Sequence, residues 1–353
     1  MSRQAELAAL GRVSDTGALS NRNLIINGAM QVHQRGNQSV SSGNSYSLDR
    51  WEVATTGGSA AYDLQQSTDV PTGQGFGNSF KLDVTTADTA MGAGDGYIFR
   101  QAFEGQNLQS IKKGTSNAEQ VTVQFWVKST KTGTYILELY DVDNTRQVSK
   151  AYTVSSADTW EYKTVTFPAD TSGVMDNDNA RSLILQWWLA AGSNFTSGTL
   201  STTWSSATEA NRVVGQVNAL DSASNNFLVT GVQLEVGDTA TEFEHRSYGD
   251  ELARCQRYFE RWSFPASFDW YVTNSASAGH DVECPYNGAF AVAKRAAPTY
   301  SRSGTFIVSN LTSNDWTART DTNVVTFYNT SSAGGRYYSY NQNSAHLDFD
   351  AEL

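Results

Sequence analysis

The chain has 353 residues, of which 39% are hydrophobic, 12% aromatic and 17% charged, with a net charge of −11. That length leaves room for about two domains, and the aromatic share excludes wholesale disorder. The scarcity of charge excludes coiled-coil and long-helix proteins, and the acidic balance argues against nucleic acid or an anionic membrane surface as a partner, since both call for a basic face.

The N-terminal segment, residues 1–21, opens MSRQAELAALGRVSDTG, without the apolar core of a secretory signal. The expectation is assembly in a cytosol, with exit by lysis or a dedicated route. Ala5 to Leu10 favours helix and Gly11 can supply its left-handed stop. So short a helix is marginal alone in water, so the segment reads as a docking peptide ordered by a partner, with a frayed terminus as the equal alternative. No run of about 18 apolar residues follows, so no membrane insertion is expected.

Residues 22–246 alternate at strand spacing. Val121, Val123, Phe125 and Val127 interleave with Thr122, Gln124, Trp126 and Lys128. Leu183, Leu185, Trp187 and Leu189 interleave with Ile184, Gln186 and Trp188. Further runs lie at 45–56, 60–66, 79–86, 97–103, 134–141, 147–154, 160–167 and 227–235, separated by turn-rich stretches such as VPTGQGFGNS and VMDNDNA. Many short strands without intervening helices predict an all-β, jelly-roll β-sandwich.

A linking helix is predicted over 247–262. Leu252, Cys255, Phe259 and Trp262 form one apolar stripe, Ser247 and Asp250 make a capping box, and Pro265 stops it. The stripe is a ready seam for three parallel helices. Residues 263–353 return to short alternating segments, Phe268–Thr273, Ala289–Ala293, Thr305–Val308, Asn323–Tyr328 and Arg336–Tyr340, which predict a second, smaller β-domain.

Chemistry-bearing motifs are sparse. None of His33, His245, His280 and His346 stands in a metalloprotease frame, and the chain lacks a nucleophile elbow. The glycines at Gly73–Gly77 and Gly92–Gly96 join no strand to a helix and read as turns. Cys255 and Cys284 make neither a disulfide framework nor a zinc spacing and read as reduced. Asp141/Asp143 and Asp176/Asp178 are spaced like a calcium loop but lack its glycine and distal glutamate, so solvated turns are expected, with a structural calcium ion left open. No catalytic residue, cofactor or metal is assigned. The remaining pattern lies on alternate strand positions, where Gln124 with Trp126, Glu138 with Tyr140, and Gln186 with Trp188 combine hydrogen-bonding groups with aromatics. A flat ring takes the apolar face of a sugar and amides or carboxylates take its hydroxyls, so these six are the candidate glycan-binding residues. The alternative is that the rings pack under loops or against another subunit.

The segments NLIINGAMQVHQRG (23–36) and YSLDRW (46–51) resemble the opening of a domain common in bacteriophage tail-fibre and related virion proteins. FLVTGVQLEVGDTATEFEHRSYGDELARCQRYFERW (227–262) is similar to its close, and KRAAPTYSRSGT (294–305) and the terminal DAEL resemble elements of its C-terminal domain. The resemblance implies a jelly roll like that of carbohydrate-binding modules, carried on a phage particle. Its motif residues read as architecture: Asn27 and Gly28 as a turn, Leu48, Trp51, Val232, Leu234 and Phe243 as core, and Arg50 with Glu235 as a buried pair. The expectation is therefore a non-enzymatic virion protein, a tail fibre or peripheral adhesin contacting the host surface through a glycan. It would be a homotrimer joined to other tail or virion proteins through residues 1–21. A polysaccharide depolymerase and a ligand-free capsid or tail decoration protein are the alternatives.

Overall fold

Strands form where apolar residues recur at every second position, because only an extended chain turns them all to one side. A computed structural model describes residues 21–264, 269–272, 281–283, 288–303, 306–309, 317–330, 337–341 and 345–353. The N-terminal segment 1–20 and Cys284 lie outside the described residues. The chain divides into two compact units, residues 1–251 with Leu353, and residues 252–352.

The first unit is a sandwich of two antiparallel sheets. Sheet I runs in the order β1 (Gln38–Val40), β4 (Ala61–Ser67), β5 (Ser79–Thr86), β13 (Asn226–Val236), β7 (Val121–Ser129), β10 (Glu161–Phe167). Sheet II runs β12 (Ser205–Ser206), β9 (Arg146–Val154), β8 (Gly133–Asp141), β11 (Arg181–Ala191), β6 (Gly96–Glu104), β3 (Glu52–Thr56), β2 (Ser45–Tyr46). The chain switches sheets after β1, β3, β5, β6, β7, β9, β10 and β12, which is the expected jelly-roll architecture.

Inward positions of both sheets interlock through aromatic rings. Phe80 of sheet I stacks on Phe99 of sheet II at 4.2 Å, Phe99 stacks on Trp51 at 4.7 Å, and Phe125 meets Trp187 edge-on at 5.4 Å. Each such pair adds about 0.5–1.5 kcal/mol beyond the area it buries.

The opening motif is structural. Asn27 is buried at φ +60°, its side chain bonds the Val32 amide and the Val32 and Asp49 carbonyls, and its own carbonyl accepts from the Trp51 indole at 3.0 Å. Gly28 is required by close approach, since a Cβ there would stand 2.1 Å from the Val232 carbonyl oxygen. Leu48, Trp51, Val232 and Leu234 are core, as expected. The anticipated Arg50–Glu235 pair is not formed: Arg50 donates to the Ala102 carbonyl, whereas Glu235 takes Thr241 at 2.7 Å and Arg22 at 3.9 Å.

The linking helix is shorter than its periodicity predicts. Helix α2 (Tyr248–Gln256; α1 is the short Ser193–Thr196) begins at the expected cap, where Ser247 Oγ accepts from the Asp250 amide at 3.2 Å and donates to the Asp250 carboxylate at 2.7 Å. Phe259 and Trp262 lie on β14 (Phe259–Phe264), paired with β23 (Ala345–Asp350). Cys255, a free thiol, and Phe259 are buried within their own chain, so the stripe is no open trimer seam. Long-range pairing to β23 overrides a local 3.6-residue rhythm.

In the second unit β14 and β18 (Thr299–Ser303) flank β23. Phe290, Phe327, Leu347 and Phe349 form its described core. A buried Lys294 ammonium meets the Glu260 carboxylate, which also accepts from the Trp262 indole at 2.8 Å. Burial holds the Lys294 pKa below its ordinary value despite the Glu260 charge.

Candidate functional site

The six candidate residues do not share a face. Gln124 and Trp126 project from the outside of sheet I, whereas Glu138, Tyr140, Gln186 and Trp188 project from the outside of sheet II.

On sheet I, Trp126 stands between Tyr162 of β10 and Thr230 of β13, and Gln124 between Thr164 and Gln233. The Trp126 and Tyr162 rings lie 5.4 Å apart, and the Tyr162 hydroxyl donates to Gln124 Oε1 at 2.5 Å. This row floors one side of an open cleft of about 530 Å³, within the roughly 300–1,000 Å³ of small-ligand sites.

Two loops raise the opposite wall. The β4–β5 loop brings Gln74 and Phe76; it is fastened by Asp69, which accepts from Lys128 Nζ at 2.7 Å and the Trp160 indole at 2.9 Å. Burial alone would raise the Asp69 carboxyl, but these hydrogen bonds and the Lys128 charge hold it below the ordinary range. The segment after β13 brings Thr241, Glu242, Phe243 and His245, fastened by Glu235 on the Thr241 amide at 2.8 Å and by Gln233 on the Glu244 amide at 2.8 Å.

Phe76, Phe243 and His245 form an aromatic trio with centroids 4.8–5.4 Å apart. The trio exists because β13 bulges between Thr230 and Gln233, with Gly231 at φ +64°. A Cβ on Gly231 would stand 2.6 Å from the Phe76 ring, so only glycine lets that ring settle on the strand. Phe243, expected in the core, is a cleft wall instead. Sequence reasoning missed Tyr162, Phe76, Glu242, Phe243 and His245 as site residues. Tyr162 alone carried a signal, as an outward aromatic opposite Trp126 once β7 and β10 are paired.

Sheet II corrects the other four assignments. Glu138, Gln186 and Trp188 are buried, with Trp188 only 1% exposed, and cannot present an open sugar face. The strap between β11 and β13 crosses them and inserts Arg212, whose guanidinium forks onto Glu138 at 2.9 and 3.0 Å. Glu138 also accepts from the Trp188 indole at 2.8 Å and Gln186 at 3.1 Å. The guanidinium carbon stands 4.9 Å from the Tyr140 ring centroid and 5.1 Å from that of Trp188. Burial disfavours the charged guanidinium, yet the Glu138 charge and hydrogen bonds raise its pKa above the ordinary value. Tyr140 is pushed up by burial, against the Arg212 charge. Beneath the strap Ile98, Ile136, Trp188 and Val213 make a second small apolar layer.

The calcium-like aspartates meet a lysine. Asp141, fully buried rather than solvated, binds the Lys113 ammonium, which also stands 3.0 Å from Asp170. Burial would raise the Asp170 carboxyl, but Arg146 and Lys113 hold it low. Asp143 accepts the Asp176 amide at 3.0 Å, and Asp178 the Ala180 amide at 2.9 Å. Among the described residues no helix is long and apolar enough to cross a membrane. Tyr337, Tyr338 and Tyr340 lie on β22 (Tyr337–Asn341), whose side chains are outside the described ones.

No family model and no curated protein matches this chain. Among solved structures, the enzymatically active domain of tailspike protein 4 from bacteriophage CBA120 is similar at a TM-score of 0.33 and 15% identity, over 61% of this chain and 21% of that one. The chain thus spans about a fifth of that protein's length. The family 11 carbohydrate-binding module of a cellulosomal cellulase of Clostridium thermocellum is similar at 0.28 and 14%, over 60% and 98% of the two chains. A xylan-binding domain from Paenibacillus barcinonensis is similar at 0.29 and 12%, over 64% and 100%. At such scores these likenesses carry nothing about ligand or activity to this chain, and the fold stands on the strand order itself.

Proposed function

We propose that this chain is a non-enzymatic component of a phage virion, a tail fibre or peripheral adhesin, that holds a host-surface glycan in the sheet I cleft. The observation that carries the reading is the juxtaposition there of an open Trp126–Tyr162 platform, an aromatic trio facing it, and the Gln124 amide held by Tyr162. Aromatic faces with a few placed polar groups are the chemistry of sugar recognition. Binding rather than hydrolysis is supported by the lining, where Glu242 stands among the Gln74 and Gln124 amides, the Thr241 and Tyr162 hydroxyls and the His245 imidazole; most glycosidases use two carboxyl groups roughly 5–9.5 Å apart. The virion assignment rests on the resemblance of residues 23–51 and 227–262 to phage tail-fibre proteins.

The purified chain should bind host cells or their envelope polysaccharide, bind them roughly five-fold more weakly in Trp126→Ala, and release no reducing ends. Released reducing ends would replace the adhesin by a depolymerase; undiminished binding in Trp126→Ala would remove the cleft from the contact. A homotrimer, although the helical seam is not available for it, and attachment through residues 1–21 rest on the same tail-fibre resemblance. Light scattering and the incorporation of a chain lacking that segment test those two statements separately.

A further inference from the structure

Charge at the cleft is distributed unevenly. Lys128, two residues from Trp126 on the same face, spends its ammonium on Asp69 at 2.7 Å. Glu235 is occupied by Thr241 and Arg22, and Glu244 by the Asn21 and Asn23 amides and by Arg246 at 3.4 Å. Arg22 also donates to the Glu242 backbone carbonyl at 2.6 Å. Among the described residues, the Glu242 carboxylate is exposed, lines the cleft and meets no hydrogen-bond or ion-pair partner. Gln124 also lines the cleft, but its side chain is buried and its Oε1 is taken by the Tyr162 hydroxyl. The cleft therefore offers a sugar hydroxyl an open acceptor, the Glu242 carboxylate. To an anion it presents the uncompensated Glu242 charge, in a chain whose net charge is already −11.

We infer that the cleft selects uncharged or amino-bearing sugars and rejects uronic and other acidic sugars, with Glu242 as the residue that sets this preference. The inference rests on the glycan-binding reading above and names the class of glycan it takes. Rejection works by placing an unpaired charge against the wrong ligand, which discriminates without any new attractive contact.

The test is a glycan array extended by pairs that share a backbone and differ in charge through one group per sugar. These are alginate and hyaluronan beside their carboxyl-reduced forms, and chitin hexamer beside chitosan hexamer. Each is probed with the wild-type chain, Glu242→Gln, Glu242→Lys and Trp126→Ala, after melting curves show each variant folded. Wild type should bind the reduced or amino-bearing member roughly three- to ten-fold better than the acidic one at low ionic strength, the ratio shrinking above ~0.15 M salt. E242Q should narrow the ratio and E242K should reverse it. An acidic member bound as well as its reduced partner, or a ratio unchanged in E242Q, overturns the inference while leaving a Trp126-dependent glycan site standing. Failure of wild type to bind any glycan on the array, or binding indifferent to Trp126→Ala, overturns the glycan reading itself and the inference with it.

Discussion

The outer faces of the two sheets carry the same kinds of side chain and end in opposite states. On sheet I, Trp126 and Tyr162 border open space, with the buried Gln124 beside them. On sheet II, Trp188, Gln186, Tyr140 and Glu138 are covered by Arg212, which stacks against two rings and forks onto the carboxylate. An aromatic-plus-polar face is recognition chemistry in both places. On sheet II the group recognised belongs to the chain itself, and the contact holds a long loop down rather than a ligand.

The sharpest way to break this comparison is to damage the covered face. Trp188→Ala should cost about 3–5 kcal/mol of stability, because a fully buried indole and its bond to Glu138 are lost together. Arg212→Ala should cost a similar amount, about 3–5 kcal/mol, since it strands a buried carboxylate. Chemical denaturation measures both, and the folded fraction should still bind ligand at sheet I. A specific binding loss at full stability would instead make sheet II a ligand face.

Alkali should act through sheet II next. Burial pushes the hydroxyls of Tyr97 on β6 and Tyr135 on β8 up from 10 to about 12. The folded chain keeps protons that the unfolded chain releases from pH 10, so this contribution is complete below pH 10 and is lost as pH rises through about 12. Melting temperature against pH should show that decline, made shallower in Tyr135→Phe.

The open face should respond more mildly in stability and more clearly in binding. Trp126→Ala should weaken glycan binding by about 1 kcal/mol, roughly five-fold, with a small change in melting temperature. Tyr162→Phe removes only the hydroxyl that orients Gln124. Calorimetric titration should show a loss of about 0.5 kcal/mol, the low end for one hydrogen bond.

Much of the fold was legible because strand identity is a local property. The run Val121 to Lys128 declares its inward and outward faces by alternation alone, and the strands of the sandwich appear where that rhythm predicts them. The Ser247–Asp250 cap marks the start of α2 for the same local reason, whereas its end is set by the pairing of Phe259–Phe264 with β23, some ninety residues away. What no local pattern holds is the company each face keeps. Arg212 reaches Glu138 across 74 positions, Lys113 reaches Asp141 across 28, and Phe76 reaches the Gly231 bulge from a separate loop. Composition and alternation determined a β-sandwich bearing aromatic, polar strand faces. Only the tertiary structure decided that one such face is filled by the chain's own arginine and the other left as a cleft, because a side chain's partner depends on which loops close over it and not on its neighbours in sequence.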